Sequence, residues 1–307
     1  MNIEISANDL HKELTKMPEF VLLGQIRHFN SSIEIFNGNY RQLKKHIEFH
    51  NNPMKSNELL KVNNREILHE FQQETIRLLH NYVASAFSLI DHTRRHYNTL
   101  YSKNLKFPEY KEEVKKRFNK IPVAIFTKDL RQFIQHYDLP AISSKTSFSA
   151  NPRSLTQTLN IIFKEEDLKK FNWSKLSKEY LSLNENEIEL EDFIFSYFEI
   201  VKDFYNWFKQ KQEKLHSNEI EIIKKKKRKI ANLTAPKLIN AILSFPDCNY
   251  MNFEIHISSI LTKEQQSELS LINNMKLRFE KLLSFFKNKF TLSKALSDRI
   301  KMLYLDC

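Results

Sequence analysis

An arginine and a histidine stand five positions apart in KDLRQFIQHYDLP, residues 128–140, and a Leu-Pro pair follows them. A histidine can give or accept a proton near neutral pH. The guanidinium of an arginine is a fixed fork of donors that matches phosphate oxygens. RNA cleavage without a metal needs these groups, because the attacking 2′-hydroxyl must lose a proton, the leaving 5′-oxygen must gain one, and the phosphorane charge must be held. Arg131 and His136 are therefore candidate catalytic residues.

The helical pattern around this pair places both side chains at the edge of a buried face. The apolar positions of that face are Leu130, Phe133, Ile134 and Tyr137. At about 100° per residue, Arg131 and His136 fall on opposite flanks, each about 110° from the centre of the apolar stripe. A single chain supplies too few such groups at one point. Two copies of the helix facing each other across a homodimer would supply two of each.

The spacing alone is weak evidence, because Arg-x4-6-His is expected about once by chance in a chain of this composition. A second match exists, from Arg41 to His46 in RQLKKH. It lies late in a polar helix and has no helix-ending Leu-Pro behind it, so we treat it as accidental.

The segment NYVASAFSLIDHTRRHYN, residues 81–98, precedes KDLRQFIQHYDLP by about 35 residues. Together the two segments resemble the HEPN superfamily, and more narrowly its bacterial members with Leu-x-Asp-His-Thr-Arg on a long helix. The resemblance implies a helical bundle that homodimerises and cleaves RNA without a metal or cofactor, in toxin–antitoxin or anti-phage systems. It also implies an antitoxin or a defence-system protein as a partner. Arg131 and His136 match the Arg and His of the family motif.

The chain departs from the family pattern in two ways. Gln132 stands where Asn, Asp or His is usual, and the resemblance covers residues 57–215 at most. Some family members only bind RNA or proteins, so a non-catalytic RNA- or protein-binding module of a defence assembly is the alternative function. A structural subunit of such an assembly is a further alternative.

Three charged residues on the preceding long helix are candidate supporting residues. Asp91 has Arg94 and Arg95 within reach, one turn away. The resemblance implies that an acid on this helix could orient Arg131. The equally open alternative is an ordinary exposed ion pair. Nearby, His92 and His96 have metal-ligand spacing, but the sequence offers no third ligand and we predict no metal site.

Composition favours a helical, basic protein. The 307 residues include two glycines, which argues against glycine-rich phosphate loops and sheet-rich folds. The formal net charge of +11 suits an RNA partner. Two distant cysteines argue against a disulfide framework, and no apolar run approaches membrane-spanning length. We therefore expect a soluble, cytoplasmic protein that does not associate with membranes.

The elements that must position the site are mainly helical, and we expect a HEPN-like bundle with long helices, a β-hairpin insertion and a C-terminal helical extension. The expected regions are N-terminal helices over 1–56, a HEPN-like domain over 57–215 with a hairpin at about 143–163, and a mainly helical region over 230–307. Within them we predict helices over about 19–48, 57–104, 125–137 with Thr127 as N-cap, and 190–215. The run KKKKRK, residues 224–229, is expected to separate the last two regions, and FEIHI is expected to form a strand.

Overall fold

The computed structural model describes residues 6–104, 106–151, 154–164, 168, 171–184 and 187–305. Their fold is mainly helical with one small antiparallel hairpin, as the composition predicts. The chain divides into two compact units. The central unit is Gln25–Leu215, and the terminal unit combines Met1–Gly24 with His216–Cys307. Among the described helices, none combines the length and the apolar character needed to span a lipid bilayer.

The elements from the N-terminus to the end of the central unit follow the predicted order. They are α1 (Ala7–Lys16), α2 (Pro18–Asn51), α3 (Pro53–Leu59), α4 (Arg65–Leu100), α5 (Tyr110–Phe118), α6 (Pro122–His136), β1 (Ile142–Asn151), β2 (Ser154–Phe163), α7 (Lys175–Leu183) and α8 (Leu190–Leu215). Short 3-10 turns at Val62–Asn64 and Ser102–Asn104 flank α4.

The long helix predicted over 57–104 is interrupted near its start. The side chain of Asn52 caps α3 by accepting from the amides of Met54 and Lys55, and Pro53 occupies the first turn, where a missing amide costs nothing. The sequence favours a turn at HNNPMKSNE with Pro53 as a helix breaker, but Pro53 instead begins a helix. What remains as α4 is 36 residues, about 54 Å long.

The helix that carries the candidate site begins earlier than predicted. Pro122 stands at its first turn, and Thr127 lies one turn further in, where its hydroxyl donates to the carbonyl of Val123. Thr127 is therefore not the N-cap. Proline is favoured in a first turn, because its φ is preset to a helical value and its missing amide is not needed there. The helix ends at His136, where the amides of Tyr137 and Asp138 both donate to the carbonyl of Phe133.

One aromatic-rich core holds the central unit together. Phe126 of α6 is fully buried and packs edge-on against Phe163 of β2 and Phe193 of α8. Phe36 of α2 stacks on Tyr82 of α4, and the hydroxyl of Tyr82 donates to the carbonyl of Ile194. These contacts tie α2, α4, α6 and α8 into one packed body.

The predicted hairpin is present, with Ile142 opposite Phe163 and Asn151 opposite Ser154. Ile142, Leu159, Ile161 and Phe163 are buried, whereas Phe148 is exposed. The sequence also predicts a turn at Asn-Pro-Arg-Ser, residues 151–154, and a helix at EEDLKKF, residues 165–171. Residues 152 and 153, the side chain of Leu155 and most of the EEDLKKF segment lie outside the described residues.

The terminal unit is helical throughout its described part, with α9 (Ser217–Ile242), α10 (Tyr250–His256), α11 (Lys263–Ser270), α12 (Met275–Lys289) and α13 (Lys294–Leu305). The strand expected at FEIHI is wrong. Phe253 and Ile257 are buried one helical turn apart, and Ile255 between them is exposed. The run at 224–229 is not a linker but the middle of α9, where Lys226 pairs with Glu13 of α1 at 2.6 Å.

Candidate functional site

The solvent-facing side of α6 carries four polar residues on one helix face. They are Lys128, Gln132, Gln135 and His136, and all are exposed. In the part of the chain that the structure describes, none of the four side chains makes a hydrogen bond or an ion pair. His136 forms one edge of this face and Arg131 borders the opposite edge, about 140° away around the helix axis. We call these four residues the α6 face.

Arg131 lies against α4. The Cζ of Arg131 is 4.7 Å from the centroid of the Phe87 ring, so the guanidinium stacks on an aromatic face. The side chain is half-buried, and its Nε is buried with no hydrogen-bond partner among the described residues. The packing fixes the position of the guanidinium without satisfying all of its donors. An anion that reaches the outer edge of the fork would find it already oriented.

His136 is the last residue of α6 and lies in water, together with Tyr137, Asp138 and Leu139. Tyr137 was predicted to complete the buried stripe, but it is 54% exposed. The reason is local, because the helix ends at His136 and Tyr137 leaves helical geometry. Its ring only borders the core: the ring centroid lies 5.3 Å from that of Phe133 and 5.7 Å from that of Phe171.

Asp129 is a buried residue that no sequence motif singles out. Its carboxylate accepts from the amide of Ser174 at 3.0 Å and from the hydroxyl of Ser177 at 2.6 Å. Ser174 is the N-cap residue of α7, so a carboxylate from α6 satisfies free donors at the start of α7. This contact, with Phe133 stacked on Trp173, anchors the inner side of α6 and sets the orientation of its outer side.

The three supporting candidates lie together on the exposed side of α4. The carboxylate of Asp91 accepts a hydrogen bond from the guanidinium of Arg94 at 2.9 Å. This is the exposed ion pair that the sequence analysis gives as the alternative to a role in orienting Arg131. A shallow groove of about 720 Å³ is lined by Asp91, Arg94, Arg95, Asn98, Thr99 and Lys103. No hydrogen bond joins Asp91 to Arg131 in the described part of the chain. Arg95 and Lys103 have no ion-pair partner there either.

The contacts between α4 and α6 show which candidates come together. Lys128 borders a cavity with Asp91 and Arg94, whereas Arg131, one turn later, reaches Phe87, one turn earlier on α4. The two helices therefore run in opposite directions. His136 lies about 7–8 Å further along the α6 axis than Arg131, away from the α4 groove. Within one chain the structure brings Arg131 near the α4 residues and leaves His136 apart.

The other histidines of α4 have structural contacts. His92 shares a hydrogen bond with the hydroxyl of Ser32 at 2.8 Å. His96 stacks on Phe29 at 4.4 Å and shares a hydrogen bond with Gln212 at 2.8 Å. Among the described residues, no group of three His, Cys, Asp or Glu side chains is placed to hold a metal ion.

Comparisons with protein-family models, with curated proteins and with solved structures found no match to this chain.

Proposed function

We propose that this protein is a metal-independent endoribonuclease of the HEPN type that acts as a homodimer. One observation carries the proposal. An arginine held on an aromatic ring and an exposed histidine flank a polar helix face whose side chains have no partner in the described residues. Such a face is suited to a second copy and a polyanion. The resemblance of the surrounding motif and the charge of +11 point the same way.

The angle between the two side chains determines how they would cooperate. Because Arg131 and His136 are about 140° apart on one helix, they do not converge on one phosphate within a single copy. A two-fold axis beside the α6 face would set Arg131 of one copy opposite His136 of the other. Arg131 then binds the scissile phosphate and stabilises the charge of the phosphorane. His136 transfers the proton between the 2′-hydroxyl and the 5′-oxygen.

Gln132 occupies the centre of this face, next to Arg131 and one turn before His136. Its amide both donates and accepts hydrogen bonds, and it can orient an RNA hydroxyl or the equivalent helix of the second copy. The α4 groove, with Arg94, Arg95 and Lys103, would guide the strand by phosphate contacts that carry no sequence information.

The direct test is cleavage of a mixed-sequence RNA by the full chain in EDTA. Arg131→Ala and His136→Ala should each lower the rate by about 10²–10⁴-fold, the usual worth of a proton-transfer or charge-stabilising group. Arg41→Ala and His69→Ala remove an exposed arginine and an exposed histidine elsewhere in the central unit and should cleave normally. Equal cleavage by wild type and both site variants would exclude the proposal.

A mixing experiment tests the shared site. Arg131→Ala and His136→Ala subunits, unfolded and refolded together, should regain up to about a quarter of wild-type activity, because half of the dimers are mixed and each mixed dimer has one intact site. Each variant refolded alone is the control. If a single copy supplied both groups, mixing would restore nothing.

The alternative is a non-catalytic RNA-binding module, and it is favoured by Arg95 and Lys103 of the α4 groove, which have no ion-pair partner among the described residues. That function predicts RNA retention that weakens with salt and gives no cleavage products. Arg95→Ala and Lys103→Ala would then weaken binding similarly for all sequences, while His136→Ala would leave binding unchanged.

A further inference from the structure

The central unit contains a cavity of about 310 Å³ that the ribonuclease proposal does not use. Helices α4, α5, α6 and α8 all contribute to its wall. Its volume is at the lower end of the range for small-molecule sites, about 300–1,000 Å³. It equals the liquid volume of about ten water molecules, at roughly 30 Å³ each. The space is therefore large enough for a compact organic molecule.

The wall is mainly apolar and rich in rings. Six aromatic residues line it: Phe87, Tyr110, Phe118, Tyr197, Phe204 and Tyr205. Between them, Ile90, Val114, Ile125 and Val201 add aliphatic surface. Aromatic walls favour a flat aromatic guest, because ring edges and faces attract each other in addition to the area they bury.

Two tyrosines, Tyr197 and Tyr205, bring polar atoms to this mainly apolar wall. The hydroxyl of Tyr205 is engaged by Thr93 and by the carbonyl of Leu89. Tyr197, which is 1% exposed and also lines the cavity, has no hydrogen-bond partner for its hydroxyl in the described part of the chain. Burial raises the pKa of Tyr197 well above its usual value, so the hydroxyl stays protonated and can donate. A polar atom of a guest in the cavity could accept a hydrogen bond from this hydroxyl.

The mouth carries a surplus of positive charge. Its exposed polar residues are Asp91, Arg94, Asn119 and Lys128. Asp91 and Arg94 neutralise each other at 2.9 Å, and Lys128 has no ion-pair partner among the described residues. The free ammonium favours a guest whose outer end is negative.

We propose that this cavity binds a compact aromatic molecule with one anionic group, the rings inside and the anion at Lys128. The mouth shares Lys128 with the α6 face and Asp91 and Arg94 with the α4 groove, but the apolar interior belongs to neither and accepts a small guest and not a strand of RNA. Its test measures binding and does not depend on RNA cleavage.

The test uses two fluorescent probes with the same rings and different charge. The anionic probe is 8-anilinonaphthalene-1-sulfonate, and the neutral one is N-phenyl-1-naphthylamine. Both should bind the folded full chain saturably. Ile125→Trp fills the cavity from α6 and should reduce the affinity for both probes at least about tenfold, because a filled pocket cannot bury the rings.

Charge reversal at the mouth distinguishes the contribution of the anionic group to binding from that of the rings. Lys128→Glu should lower the affinity for the sulfonate probe by about fivefold or more, on the scale of exposed charge pairs. The affinity for the neutral probe should stay within about twofold of the wild-type value. Lys178→Glu makes the same charge change on α7, outside the cavity, and should affect neither probe. Circular dichroism and thermal unfolding check that each variant is folded.

Three results would overturn the proposal. One is that neither probe binds the wild type. Another is that Ile125→Trp, while folded, binds both probes as the wild type does. The last is that Lys128→Glu and Lys178→Glu change sulfonate binding equally, in which case only the net charge matters. Should Ile125→Trp not fold, the lysine variants and the probe pair still decide the question.

Discussion

Two helices of the central unit carry an arginine and a histidine at the same spacing, and their environments are opposite. In α2, His46 is half-buried: its ring stacks on Phe71 at 4.1 Å, and its Nε2 lies 2.9 Å from the hydroxyl of Thr75. Arg41 is exposed. In α6 the histidine is exposed, and the arginine is half-buried on a ring. This reversal shows that the Arg–His spacing alone does not indicate which side chain is exposed; the buried side of the helix must be known as well.

The hydrogen bonds of His46 explain why it is unsuited to proton transfer. The hydroxyl of Thr75 donates to the carbonyl of Phe71, so it accepts from His46, and Nε2 of His46 must carry a proton. The same Nε2 is 3.3 Å from the carbonyl of Phe71. Nε2 is thus held as a hydrogen-bond donor inside a packed helix pair. His136 has no such partner in the described residues, so its ring can approach a substrate.

The largest expected difference between the two histidines is in stability. His46→Ala should lower the free energy of unfolding by about 2 kcal/mol, because it deletes a stacked ring and leaves Thr75 without a donor. His136→Ala should change it by less than about 0.5 kcal/mol, as is usual for exposed residues. Urea unfolding followed by circular dichroism measures both. Equal losses would mean that His136 is also held by packing.

The two arginines should differ less than the two histidines in their contribution to the free energy of unfolding. Arg131→Ala should cost about 1 kcal/mol through the lost contact with Phe87, whereas Arg41→Ala should cost less than about 0.5 kcal/mol. Arg131→Met keeps the apolar contact and removes the unpaired Nε, so its stability should lie within about 0.5 kcal/mol of wild type.

Thermal unfolding of these variants, combined with the RNA assay, separates packing from chemistry at Arg131. Arg131→Met should be as stable as wild type and as inactive as Arg131→Ala. A fully active Arg131→Met would show that the guanidinium serves only to cover Phe87.

The sequence predicts the helical part of this arrangement well, and for a physical reason. Periodic apolar residues determine which face of a helix is buried, so Leu130 and Phe133 are in the core and Arg131 and His136 flank them, as expected. Helix ends are less predictable. The prolines at positions 53 and 122 begin helices, since proline is tolerated in a first turn as well as beyond a last one.

Contacts between distant segments were beyond the reach of the sequence. The carboxylate of Asp129 accepts from donors at the start of α7, about 45 positions away, and no local pattern links the two. The stacking of Arg131 on Phe87 is similar, because no local pattern links these positions of α6 and α4. The apolar alternation around Ile255 favours a strand, but it extends over five residues, a stretch too short to distinguish a strand from a helix turn.

The smallest expected difference between the two helices is in pH dependence. Desolvation lowers the pKa of His46 below its usual value, Arg77 lowers it further, and the Phe71 carbonyl and Glu74 partly oppose the shift. The folded state therefore binds a proton at His46 less readily than the unfolded state does. The stability that this histidine contributes is complete above the unfolded pKa, about 6.5, and is lost as the pH falls through the folded value. Burial lowers the pKa of His50 as well, with the same sign.

Replacing His46 by glutamine keeps a donor towards Thr75 and removes the titrating ring. Wild type should lose stability between pH 7.5 and pH 5, and His46→Gln should lose less over that interval, even if it is less stable at pH 7.5. His69→Gln removes an exposed histidine from α4 and is the matched control, with the pH dependence of wild type. Urea midpoints at several pH values give the slopes. A slope for His46→Gln as steep as that of His69→Gln would place the acid sensitivity elsewhere, with His50, whose Nε2 lies 2.9 Å from the hydroxyl of Ser144, the next residue to replace.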